Sequence, residues 1–176
     1  MPVTIARPRA LRGEIIAPGD KSVSHRAIMF NALSHTGTAR ITNFSLGADC
    51  TSTVEIFRSL GVEITRETGM DGMGDSLTVK GVGLNGLVEP ADVLDAGNSG
   101  TTTRLMSGIL AGQDIVTILT GDDSLKSRPM GRVVEPLRNR GAEITGRAGG
   151  TLAPLVFYGG SLKGTSYRMA VAPSPL

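Results

Sequence analysis

The chain has 176 residues, 40% of them apolar and 19% charged, with a formal net charge of +2. Such a composition supports a buried core and excludes a disordered chain, while the scattered Lys and Arg lack the basic stripe and stacking aromatics of a nucleic-acid surface. No stretch approaches the ~20 apolar residues of a membrane-crossing helix, so neither nucleic acid nor membrane is an expected partner. Glycine fills 24 positions and aromatics only 3%, with no Trp, which leaves the core to Leu, Val, Ile, Ala and Met and implies many tight turns. A single cysteine, Cys50, allows no internal disulfide and fits a reducing compartment, the cytoplasm by default; it reads as a small packing residue.

Residues 3–17 read as extended segments broken at Pro8, and Pro18-Gly19 then punctuates the chain. A helix is predicted over 22–33, capped by Asp20 or Ser22, with Ile28, Met29, Ala32 and Leu33 apolar. A strand over 40–44 follows. Asp49 is the expected cap of a second helix that runs to Leu60 and stops at Gly61. Residues 62–65 and 77–82 read as strands. Gly97-Asn98-Ser99-Gly100 opens a helix over 101–111, and 115–120 is a strand of β-branched residues. Pro129 opens a helix to Arg140, stopped by Gly141, in which Pro136 predicts a kink or a break. Strands over 143–145, 155–158 and 166–171 finish the chain.

The order repeats. Gly19-Asp20-Lys21-Ser22 matches Gly97-Asn98-Ser99-Gly100, and Arg26 matches Arg104, each pair 78 residues apart. Gly61-Val62-Glu63-Ile64-Thr65 matches Gly141-Ala142-Glu143-Ile144-Thr145, 80 residues apart. Two β-α-β-α-β-β units follow, at about 19–96 and 97–171, with a third expected to begin near 172. Alternation of this kind predicts helices packed on mixed sheets, an α/β class.

Each unit sets a small, glycine-containing turn before a helix, where unpaired N–H groups and the helix dipole attract anions. The first adds Lys21, Ser22 and Arg26; the second adds Asn98, Thr101 and Arg104. Lys126 and Arg128 stand at another expected helix start. Three such starts suit one multiply anionic small molecule, or two of them. Each group also has a plainer reading: a capped turn with a solvated lysine at 21, a buried arginine satisfying carbonyls at 104, a solvated loop at 126–129. His25 reads as structural, and neither it nor His35 has partners at metal-ligand spacing. Gly81-Val82-Gly83-Leu84-Asn85-Gly86 fits a dinucleotide-loop pattern, but no convincing helix follows it. Asp20-Lys21-Ser22 lacks the glycine spacing of a phosphate-binding P-loop, and the sequon Asn43-Phe44-Ser45 reads as chance.

Three runs together identify a family. P-G-D-K-S-V-S-H-R-A over 18–27, L-D-A-G-N-S-G-T-T-T-R-L over 94–105 and D-D-S-L-K-S-R-P-M over 122–130 resemble, in order and spacing, the signatures of 5-enolpyruvylshikimate-3-phosphate (EPSP) synthases. The resemblance extends to about Val171. It implies two globular domains, each of three β-α-β-α-β-β units about a pseudo-threefold axis. Residues 1–18 are then expected to be a strand segment of the other, C-terminal domain plus a hinge, and 19–176 an N-terminal substrate-binding domain with a truncated third unit. The reaction implied transfers the carboxyvinyl group of phosphoenolpyruvate to the 5-hydroxyl of shikimate-3-phosphate, with no metal or organic cofactor. By resemblance Lys21 is catalytic and shared between substrates. Lys21, Ser22 and Arg26 bind shikimate-3-phosphate, and Lys21, Asn98, Gly100, Thr101 and Arg128 bind phosphoenolpyruvate. Glycine at 100 goes in this family with sensitivity to the inhibitor glyphosate, alanine with tolerance. The full enzyme is expected to be a monomer. The 176 residues are expected to be inactive alone, with the C-terminal domain needed in the same chain or in trans. Two other readings stand beside this one: a non-catalytic shikimate-3-phosphate-binding module, or a domain like the UDP-N-acetylglucosamine enolpyruvyl transferases. A third is a truncated chain with a structural role, self-associating through an open edge.

Overall fold

Helix α1 (Lys21–Ala32) starts where the Asp20 carboxylate accepts the Val23 N–H at 2.7 Å, satisfying one of the donors that a first helical turn leaves unpaired. It buries Ser24, His25, Ile28, Met29 and Ala32, one face at the i, i+4 helical spacing. The computed structural model describes residues 3, 10, 12–35, 37–69 and 75–168. After α1 come β1 (Thr38–Ile41), α2 (Ala48–Ser59), β2 (Ile64–Glu67) and β3 (Ser76–Lys80). The second unit holds β4 (Leu94–Asp95), α3 (Gly100–Leu110), β5 (Thr117–Thr120), a one-turn α4 (Asp123–Lys126), α5 (Gly131–Asn139), β6 (Ile144–Gly146) and β7 (Leu152–Phe157). No helix among the described residues is long and apolar enough to cross a membrane.

The repeat predicted from sequence is visible in the sheets. The first has strand order β1-β3-β2 and the second β4-β5-β7-β6, so β5-β7-β6 reproduces β1-β3-β2 with the same antiparallel pairings. Both second helices end alike. Gly61 and Gly141 take positive φ (87° and 94°), and the N–H groups of Val62 and Ala142 reach back to the carbonyls of Phe57 and Leu137 at 2.9 and 3.0 Å, the glycine C-caps that were expected. An arginine one turn before each cap clamps the next strand. Arg58 donates Nε and Nη2 to the Ile64 carbonyl at 3.0 and 2.7 Å, and Arg138 does the same to Ile144 at 3.0 and 2.5 Å.

Among the described residues the first unit has no counterpart of β4. Leu94 and Asp95 form β4, parallel to β5, and the Ala96 N–H extends that pairing to the Thr120 carbonyl at 2.9 Å. By the 79-residue spacing of the helix starts the corresponding residue is Ala17, whose carbonyl accepts from the Asn43 side chain at 3.1 Å. Residues 12–17, expected as part of extended segments over 3–17, are in no strand; residues 4–9 and 11 lie outside the described residues.

Other elements depart from expectation for local reasons. The strand expected over 40–44 is Thr38–Ile41, because Asn43 turns to a positive φ of 52°. Strands expected over 62–65, 77–82 and 115–120 are Ile64–Glu67, Ser76–Lys80 and Thr117–Thr120, and that over 143–145 is Ile144–Gly146. The strand expected from 155 begins at Leu152 and pairs with two neighbours. Residues 166–168 are not a strand, and 169–171 lie outside the described residues. Asp49 is not the cap of α2. The helix begins at Ala48 behind Gly47, with no side-chain cap, which leaves the Asp49 carboxylate in the first turn. Helix α5 starts at Gly131 rather than Pro129 and runs through Pro136 unbroken. Placed sixth in the helix, that proline deprives it of a single early bond, to the Arg132 carbonyl.

The apolar faces of both units meet in one core. Phe57, Ile28, Ile56 and Leu60 belong to the first unit and Phe157, Met106, Leu110, Leu119, Leu125 and Leu155 to the second. All are less than 2% exposed. The starts of α1, α2 and α3 converge at one end of this core, where Cys50 Sγ and the Thr102 hydroxyl donate to backbone carbonyls of Lys21 and Asp49.

Candidate anion-binding site

Lys21 is the first residue of α1 and is exposed. Its ammonium pairs with the Asp49 carboxylate, held out from the first turn of α2. That pair rests at the mouth of the converging helices. Ser22 and Arg26, four positions apart and so on one helical face, both point to solvent. Among the described residues Arg26 is in no ion pair. The structure also changes one repeat correspondence. Helices α1 and α3 start at Lys21 and Gly100, 79 residues apart. His25, not Arg26, is therefore the fifth helical residue that corresponds to Arg104.

The second start is more closely built. Ser99 caps α3, accepting the Thr102 N–H at 3.1 Å, and both Ser99 and Gly100 are buried. Asn98 sits between two partners: its amide donates to Asp122 at 2.8 Å and its carbonyl accepts from Arg128. Asp122 caps α4 through the Leu125 N–H at 2.8 Å. That backbone bond, together with the Asn98 amide, holds its carboxyl below the usual carboxylate range. The chain Asp122–Asn98–Arg128 thus fixes which way the Asn98 amide faces and where the guanidinium lies. Lys126 and Arg128, expected at a helix start, instead end and follow α4. Lys126 occupies its last turn, and the Arg128 guanidinium bends back toward α3, also reaching Ser124 Oγ at 3.3 Å.

Two guanidinium groups converge on Gly100. A methyl group there would come within 2.7 Å of Arg104 Nη1 and 3.0 Å of Arg128 Nη1. Among the described residues Arg104 is only weakly engaged, with Nη1 3.4 Å from the Gly100 carbonyl and Nε buried without a partner. One long bond does not make it the carbonyl-satisfying arginine of the plainer reading. Burial first, then the charges of Arg132 and Arg128, lowers its pKa; a guanidinium stays protonated regardless. Among the described residues none of these three arginines is in an ion pair. Positive charge gathered at a helix N-terminus beside a bare backbone is suited to an anion carrying several oxygens.

A model of the family described as EPSP synthase (3-phosphoshikimate 1-carboxyvinyltransferase) matches residues 5–174. The chain belongs to the EPSP synthase family. It is 52% identical over 170 residues to the 3-phosphoshikimate 1-carboxyvinyltransferase of Chloroflexus aurantiacus, covering 97% of this chain and 38% of that protein. The enzyme of the same name from a Synechococcus strain is 55% identical over 171 residues, covering 97% of this chain and 37% of that one. Among solved structures, EPSP synthase from Acinetobacter baumannii superposes with a TM-score of 0.83 at 44% identity, covering 92% of this chain and 35% of its own. The chain therefore spans little more than a third of the length of these family members. The shared architecture is the mixed helix-and-sheet fold described above.

Of the residues expected to bind, the structure joins Asn98, Gly100 and Arg128 in one cluster. It sets Lys21 against Asp49, and leaves Ser22 and Arg26 exposed and Thr101 half-buried, in the first turn of α3. Sequence reasoning missed Asp49 as the partner of Lys21, Arg132 as a third cation, and a buried polar chain behind the helix starts. Only Asp49 carried a usable signal, a carboxylate at a predicted helix start near a lysine-bearing one.

Proposed function

We propose that this chain is the N-terminal, substrate-binding domain of an enzyme that joins phosphoenolpyruvate to shikimate-3-phosphate, releasing EPSP and phosphate. The observation that carries the reading is the Gly100 floor, where Arg104 and Arg128 converge without a carboxylate partner among the described residues. In this reading phosphoenolpyruvate lies over Gly100, its oxygens on Arg128 and on the N–H groups of the first turn of α3, near Asn98 and Thr101. Shikimate-3-phosphate lies against Ser22 and Arg26. Lys21 serves both substrates, and Asp49 keeps its ammonium at the junction.

The 5-hydroxyl of shikimate-3-phosphate attacks C2 of phosphoenolpyruvate while C3 takes up a proton. The tetrahedral adduct then loses its C3 proton and its phosphate, which restores the vinyl group. The contribution of this half is positional and electrostatic. Fixed cations and helix N–H groups align two anions that repel each other in water. The chain covers 38% of its relatives, and we assign proton transfer and the opposing cations to the C-terminal domain, in the same chain or in trans. Closure of the two domains excludes water. We assign the enzyme to the cytoplasm as a monomer, without metal or organic cofactor, and inhibited by glyphosate over the Gly100 floor.

Calorimetric titration of the full-length protein with shikimate-3-phosphate tests the reading, with Lys21→Ala and Arg26→Ala beside wild type. Saturable wild-type binding, weakened at least tenfold in both variants, is expected, each loss being about 1.4 kcal/mol. Turnover with phosphoenolpyruvate separates an enzyme from a binding module. A folded wild type that binds neither anion overturns the reading.

A further inference from the structure

Behind the helix starts lies a row of polar side chains that touches no proposed substrate group. His25 on α1, Thr53 on α2, and Ser99 and Thr102 at the start of α3 are all 0% exposed. They are linked in order: His25 Nδ1 to Thr53 Oγ1 at 2.7 Å, Thr53 Oγ1 to Thr102 Oγ1 at 2.8 Å, and Thr102 Oγ1 to Ser99 Oγ at 2.7 Å. Both threonine hydroxyls also reach the Asp49 carbonyl, at 3.4 and 3.2 Å. Among the described residues His25 Nε2 has no partner.

The protons can be placed. A buried N–H without an acceptor is rarer and costlier than a bare ring nitrogen, so the imidazole proton belongs on Nδ1, directed at Thr53. Thr53 Oγ1 then accepts from the ring, and the single proton of each threonine hydroxyl goes to a neighbouring hydroxyl or to the Asp49 carbonyl. The chain links α1 to the N-cap of α3. Its far end is Ser99, adjacent to Gly100; beside it is Asp49, whose carboxylate holds Lys21.

We propose that His25 is a positioning residue that, through Thr53 and Thr102, fixes the Ser99–Gly100 start of α3 and its arginine floor relative to the Lys21–Asp49 pair. The inference rests on the functional reading above for what the two starts bind. A buried network of this kind specifies one arrangement only while every link is made. A 1 Å error between two substrate-binding starts is enough to spoil alignment of the reactants.

The test uses the full-length enzyme with His25→Asn, His25→Leu and Thr53→Val. Asparagine places an amide nitrogen near Nδ1 and keeps the link; leucine and valine remove it. At saturating shikimate-3-phosphate, the Leu and Val variants are expected to raise the KM for phosphoenolpyruvate about tenfold or more, with kcat changed less than about threefold and the Asn variant near wild type. Amide hydrogen exchange of the same proteins without substrate reads the position directly. Protection over residues 99–103 is expected to fall in the Leu and Val variants and not in the Asn variant. Folded Leu and Val variants with wild-type KM and unchanged protection there would overturn the proposal. So would losses that the Asn variant shares and that simply follow global stability. A wild type without turnover overturns the functional reading alone, and the exchange measurement still decides the role of His25.

Discussion

Gly100 has two guanidinium groups where a side chain would begin. Gly100→Ala pushes both aside, and because they are side-chain ends they yield instead of breaking the fold. Affinity for the proposed anion is expected to suffer. The expected result in the full-length enzyme is a KM for phosphoenolpyruvate raised about ten- to a hundredfold with a Tm near wild type, since one methyl group in a fitted site changes discrimination by that order. Weaker inhibition by glyphosate in the same assay is expected from the same displacement. His25 makes a separate claim at this scale. Burial, then Lys21, lowers its pKa below 6.5, with Asp49 opposing. The folded state resists the proton that the unfolded chain accepts, so the stability from neutral His25 is complete above about pH 6.5 and lost as pH falls below it. Thermal melts between pH 7.5 and 5.5 are expected to show a smaller drop in Tm for His25→Asn than for wild type.

At the scale of elements, the paired arginine clamps explain how short strands are held in place. β6 has three residues and β2 four, too few for ladder bonds alone to fix their position. Arg58 and Arg138 each put two donors on the first strand carbonyl, tying the helix end to the strand start. Arg138→Ala also loses a bond of 2.9 Å to the Gly149 carbonyl. It is expected to cost about 2 kcal/mol, the order measured for hydrogen bonds to charged donors, read by chemical denaturation. An Arg138→Lys variant is not expected to recover it, because one ammonium cannot reproduce the planar fork.

Over the whole molecule, the two units are not independent bodies, because the buried residues of both form one cluster. Phe57→Ala, in the first unit, is expected to cost about 3–5 kcal/mol. Its distinguishing consequence is where the loss appears: amide exchange protection falls in β5 and β7 of the second unit as well as in β1 and β3. Loss confined to the first sheet would show that the units open separately.

The sequence by itself determined the class of fold, the repeat and the family. Helical spacing, glycine stops at 61 and 141, and signature runs near 18, 94 and 122 are local patterns, and local chemistry suffices to read them. It also singled out Asn98, Gly100 and Arg128, which the structure joins in one cluster. What it could not fix were relations between elements. Strand limits moved because pairing partners, not propensity, set them: β7 reaches back to Leu152 because, beyond the Gly146–Leu155 pair that ends β6, Arg147 bridges Leu152. Asp49 changed from a cap into the partner of Lys21, and His25 from a lone histidine into the end of a polar chain. In both cases the deciding group lies 28 residues away, and only packing of α1 against α2 and α3 brings it within hydrogen-bonding distance.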